Sequence, residues 1–98
     1  MSAAMHAPGL VRLRITPTIA NEYENRRPGD LPTEKLHAAT WTLTLQEAHR
    51  VLADAEFNSD RNAQDVGPCG MPLGVFNAYA ALARQARAAI ANATGEGA

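Results

Sequence analysis

One cysteine, one tryptophan, two tyrosines and two phenylalanines are all the thiol and aromatic chemistry that 98 residues carry. A single thiol closes no internal disulfide, and small secreted domains usually depend on several, so the expected compartment is the reducing cytoplasm. A surplus of one charge sign is missing as well. Lys and Arg number 9 against 10 for Asp and Glu, a formal charge of −1, and no global field is available to hold a polyanion or an acidic membrane surface. A nucleic-acid role needs a local patch. Long apolar runs are also missing: Arg12 and Arg14 interrupt the first sixteen residues, which leaves neither a secretory h-region nor the roughly 20 apolar residues of a membrane span. The expectation is a soluble protein with no membrane partner. Its high alanine content fits a GC-rich bacterial genome.

What is present reads as one domain. A chain of this length has no room for a second core, and residues 10–92 form the expected unit, with a flexible N-terminus over 1–9 and a frayed tail over 93–98, where no large apolar side chain is available to dock. Residues 10–16, LVRLRIT, alternate Val11, Leu13 and Ile15 with Arg12, Arg14 and Thr16, the pattern of a half-buried strand. Residues 39–45, ATWTLTL, place Trp41, Leu43 and Leu45 on one face and Thr40, Thr42 and Thr44 on the other. Between them lies PTIANEYENRRPGD. It fits either the first strand running on to Ile19 before a loop, or a short helix with Thr16 as N-cap and Pro17 at its first position. Residues 17–23 are the candidate for a third strand. Pro28, Gly29, Asp30 and Pro32 mark a turn.

The tetrapeptide TLQE at residues 44–47 has the form of a capping box and starts a helix at Leu45, with Ala48, Val51, Leu52 and Ala55 on its apolar stripe. Pro72 opens a second helix, with Val75, Phe76, Tyr79, Leu82, Ala83, Ala86 and Ile90 on one stripe and Gly95 closing it. The predicted fold is α+β: an antiparallel β-hairpin packed on two antiparallel α-helices. Two strands are few for a stable sheet, so a third strand or a dimer partner is expected to complete it. Val11, Leu13, Ile15, Trp41, Leu43, Val51, Leu52, Phe57, Phe76, Tyr79, Leu82 and Ile90 make the predicted core.

The connector FNSDRNAQDVGPCGMP, residues 57–72, holds most of the chain's chemically suggestive residues. Asn58, Asp60 and Asn62 alternate as the first ligands of a calcium loop do, but Ala63 stands where that loop needs Gly and Cys69 where it needs a bidentate Glu. Local turns are the expected use of these side chains. Cys69 precedes a helix start, where dipoles favour a thiolate. No catalytic signature accompanies it, and His6, His37 and His49 show no metal-ligand spacing.

Two layouts carry a resemblance. A strand, a helix, a G-x-x-G turn and a second helix resemble the KH domain, with Gly67, Pro68, Cys69 and Gly70 in the place of the turn that clamps a nucleotide backbone. Pro and Cys stand where such loops carry a basic residue, and no strand follows the second helix. ATWTLTL followed by two helices is similar in order to the ribbon-helix-helix repressors, which implies a dimer reading the major groove with Thr40, Thr42 and Thr44 as the outward row. Here the connector between the helices is longer, and residues 10–16 offer a strand partner within the chain.

Paired catalytic carboxylates, a phosphate loop and zinc spacing are all missing, so the expected class is a non-catalytic protein without cofactor or metal. The expected partner is another, larger protein, met as an accessory subunit, regulator or inhibitor. That class includes the small antagonists of host systems that bacteria and mobile elements encode. The alternative is a dimeric DNA-binding regulator. Arg12, Arg14, Thr40, Thr42, Arg84 and Arg87 are the candidate binding residues: clustering of the four arginines favours nucleic acid, and a large apolar patch favours protein.

Overall fold

The computed structural model describes residues 10–26 and 39–95. It is an α+β domain in the order β1 (Leu10–Arg14), α1 (Pro17–Arg26), β2 (Thr40–Thr44), α2 (Leu45–Asn58) and α3 (Leu73–Thr94). The strands pair antiparallel, with Leu13 opposite Trp41 and Arg12 opposite Thr42. In both, burial alternates from residue to residue, as expected where one face of a ribbon is packed and the other is wet. The turn expected around Pro28 and the segments 1–9 and 96–98 lie outside the described residues.

The segment after β1 is a helix, not a third strand. Thr16 caps it: the Ile19 N–H donates to Thr16 Oγ1 (3.3 Å) and the Ala20 N–H to the Thr16 carbonyl (2.9 Å). Pro17, which has no N–H to offer, sits at the first helical position, where none is needed. Ile19 and Tyr23, four apart on one face of α1, are both buried. Tyr23 meets Trp41 edge-on at 5.0 Å between ring centres and Tyr79 at 6.5 Å. The three rings join α1, β2 and α3 at the centre of the core, and the edge-on contact of Tyr23 with Trp41 is one that aromatic quadrupoles favour.

α2 starts at Leu45, as the capping box predicts. The Glu47 N–H donates to Thr44 Oγ1 (3.1 Å) and the Thr44 N–H donates to Glu47 Oε1 (2.9 Å). The buried positions on α2 are Ala48, Val51, Ala55 and Asn58. That corrects the predicted core: Leu52 is only partly buried, and Phe57, one position off the stripe, is 60% exposed. Asn58 occupies the inward position instead. Its amide is satisfied there, donating to the Asp54 carbonyl (2.8 Å) and to Asp54 Oδ1 (3.1 Å), as a buried polar group requires.

α3 runs from Leu73, with Pro72 as its N-cap residue, to Thr94, and Gly95 closes it in the left-handed region at φ 84°. Replacing Thr44 with Ala removes the acceptor for the Glu47 N–H. It is expected to cost about 1 kcal/mol, read as a lower denaturant midpoint with an unchanged slope; an unmoved midpoint would count against the cap.

Candidate protein-binding face

The Ile15 N–H donates to the Ala39 carbonyl (2.8 Å) just beyond the strand ends. In an antiparallel ladder the hydrogen-bonded pairs alternate with non-bonded ones. In this register, Leu13–Trp41 and Val11–Leu43 are therefore bonded pairs, while Leu10, Arg12 and Arg14 on β1 and Thr40, Thr42 and Thr44 on β2 turn their backbone groups outward. These six are also the residues whose side chains are exposed. One face of the ribbon thus carries Leu10 beside Thr44, Arg12 beside Thr42 and Arg14 beside Thr40.

The two outer edges differ. At Arg14 both outward groups are bonded by one side chain of α3: the Arg14 N–H donates to Gln85 Oε1 (2.6 Å), and Gln85 Nε2 donates to the Arg14 carbonyl (3.0 Å). The Gln85 amide thereby stands in for one residue of a missing third strand. On β2, the Thr44 N–H is held by Glu47. The outward groups of Thr40 and Thr42 have no hydrogen-bond partner among the described residues. An open groove lined by Arg14, Ile15, Thr16, Ala39, Thr40 and Gln85 runs past this end of the ribbon.

The structure brings four of the six candidate residues together. Arg12, Arg14, Thr40 and Thr42 share the outward face, as the alternation of both strands predicts. Neither arginine is paired with a carboxylate among the described residues. Arg87 lies elsewhere and is engaged: its Nη2 meets Glu56 Oε2 at 2.8 Å, joining α3 to α2. Arg84 is exposed on α3. Gln85 is a contributor that the sequence does not single out. Its only trace there is a polar residue three positions beyond Leu82, at the border of the apolar stripe of α3.

The connector of residues 59–72 is built by its own hydrogen bonds. Asp60 Oδ1 accepts from the Asn62 N–H (2.9 Å), and Gln64 Nε2 donates to the Phe57 carbonyl (3.1 Å). The Arg61 guanidinium lies 4.9 Å from the centre of the Phe76 ring. Asp60 is thus a turn residue and Asn58 a buried helix residue, which accounts for both without calcium. Among the described residues no group of three or more His, Cys, Asp or Glu side chains is placed to hold a metal ion.

Gly67 and Gly70 close a tight loop. The Gly70 N–H donates to the Gly67 carbonyl (3.1 Å), the Gly67 N–H to the Met71 carbonyl (3.0 Å) and the Met71 N–H to the Asp65 carbonyl (2.7 Å). Gly67 has φ 144°, a conformation that side chains rarely adopt. A Cβ on Gly70 would overlap the Asp65 carbonyl. Both glycines of the KH-like G-x-x-G are therefore accounted for by backbone packing. Cys69 between them is exposed and unpaired.

Compared with known proteins, the chain matches no family model, no curated protein and no solved structure. No helix among the described residues is long and apolar enough to cross a membrane.

The glycines provide a sharp check on this geometry. Gly70→Ala is expected to lower stability by about 2 kcal/mol, because the added methyl must displace backbone. Gly74→Ala, inside α3 with nothing within 4 Å of the added carbon, is expected to raise it by up to about 1 kcal/mol. Chemical denaturation of the two variants decides the matter, and equal midpoints would contradict the close approach at Gly70.

Proposed function

We propose that this chain is a non-catalytic protein-binding module, an accessory subunit, regulator or inhibitor of a larger protein, and that it meets its partner through the outward face of β1 and β2. The observation that carries the reading is the pair of exposed arginines, Arg12 and Arg14, without a carboxylate partner among the described residues, set on the ribbon beside Thr42 and Thr40. Arginine forms bidentate bonds to carboxylates and is enriched at protein interfaces. The 44%-exposed Leu10 beside Thr44 adds an apolar contact at one end of the row. The complementary surface is a protein patch bearing carboxylates.

Two facts favour protein over nucleic acid. The charge of −1 supplies no long-range attraction for a polyanion, and the bond between Arg87 and Glu56 takes one of the four candidate arginines out of any basic tract. A DNA-binding regulator draws its support from the same ribbon, since two paired strands fit a major groove and Arg and Thr reach base edges there.

The discriminating experiment compares the wild-type chain with Arg12→Gln/Arg14→Gln, by affinity capture from native-host extract and by titration of duplex DNA over a salt series. The double variant is expected to keep its stability to within about 0.5 kcal/mol and to lose a protein that the wild type captures. Capture of that protein equally by both chains would place the contact elsewhere. Duplex binding that weakens steeply with salt and disappears in the double variant would replace this reading with the regulator.

A further inference from the structure

The two edges of the ribbon are not equivalent, and their difference points to a specific assembly. We propose that two copies of this chain pair through β2, antiparallel about a two-fold axis at Trp41, to form one four-stranded sheet in the order β1–β2–β2–β1. This goes beyond the partner-binding reading and requires no partner.

The β1 edge is protected twice. Gln85 occupies both outward backbone groups of Arg14, and Arg12 and Arg14 would bring like charges together if two β1 strands approached, a recognised block to edge pairing. The β2 edge has neither device. Its outward residues are threonines, which have strong strand propensity and no charge, and which form favourable cross-strand pairs with one another.

The register follows from which groups remain available. The Thr44 N–H is committed to Glu47 Oε1, so the edge groups without a partner among the described residues are the N–H and carbonyl groups of Thr40 and Thr42. Setting Thr40 opposite Thr42 of the second copy joins all of them, two bonds on each side of the axis, in the alternation an antiparallel ladder imposes. Setting Thr42 opposite Thr42 instead would present the Thr40 carbonyl to Thr44 of the second copy, whose N–H is already taken. The chosen register puts Trp41 beside Trp41 of the second copy on the packed side of the sheet. Trp41 is 1% exposed in the single chain, and its buried Nε1 has no acceptor among the described residues. The ring offers almost no surface to a second copy, so the pairing rests on the edge backbone groups and on the threonines. It is isologous, as a two-fold contact between copies must be, and it leaves the Arg12 and Arg14 side chains of both copies on the open face.

Sedimentation of the purified chain over a range of concentrations tests the assembly. The wild type is expected to pass from one 10.5 kDa chain to a dimer as concentration rises. Thr40→Lys/Thr42→Lys and Thr40→Glu/Thr42→Glu each oppose like charges across the axis at side chains exposed in the single chain. Each is expected to raise the dissociation constant at least about tenfold, and an equal mixture of the two is expected to dimerise again. Thr42→Pro removes an outward N–H without touching the β1 ladder, and it provides a second disruption independent of charge. A wild type that stays monomeric at every concentration would overturn the proposal, as would a Lys double variant that dimerises as the wild type does.

Discussion

The hydrogen bond from the Ile15 N–H to the Ala39 carbonyl sets the parity of the ribbon, and with it nearly every other feature of the molecule. With that parity Val11, Leu13, Trp41 and Leu43 face the helices, and all four are buried to within 2%. A slip of β1 by one residue would exchange Val11 and Leu13 for Arg12 and Arg14 and leave two cations against the core beside Trp41 and Leu43. The same parity decides which backbone groups point outward, and so what Gln85 and Glu47 must satisfy. Packing and edge chemistry are thus two consequences of one register.

A two-stranded ribbon is marginal by itself, and the helices explain why this one holds. Ile19 and Tyr23 of α1 close the packed side beside β2 and α3, and Tyr23 contacts both Trp41 and Tyr79. The Tyr79 hydroxyl in turn donates to Glu22 Oε1 (3.2 Å), returning to α1. Burying rings of this size contributes a large share of what a chain with so few aromatic residues can gain. The three helices of the described residues lie on the packed side of the sheet, and the side chains on its other face are exposed.

The parts of this arrangement visible in the sequence are those written as a period or a local bond. Alternation marked both strands and named the four residues of the outward face, and TLQE marked the start of α2. α1 was less legible. Ile19 and Tyr23 are only one turn apart in a ten-residue segment rich in Asn and Glu, and Pro17 is compatible with either a helix start or an edge strand. What selects the helix is the space beside Trp41, a tertiary fact. Phe57 misled for a related reason: an aromatic residue at the end of an apolar stripe is normally packed, but the inward position belongs to Asn58, whose amide binds Asp54 one turn earlier. Gln85 was invisible because its target is backbone 71 residues away.

α3 explains how the described residues hold together with one face of the ribbon exposed. Within a span of nine residues it bonds to α1, β1 and α2. Tyr79 meets α1 through Glu22, Leu82 lies in the core, Gln85 bonds β1 at Arg14 and Arg87 bonds α2 at Glu56. A helix of this length is about 33 Å long at 1.5 Å per residue, so it braces the domain along one side and removes any need for the sheet's outer surface to hold the fold. Substitutions at Arg12, Arg14, Thr40 or Thr42 therefore touch no buried contact. Surface positions of that kind can change at little cost in stability. A rigid scaffold beside a surface with no structural duty is the condition under which binding specificity can vary while the fold is kept.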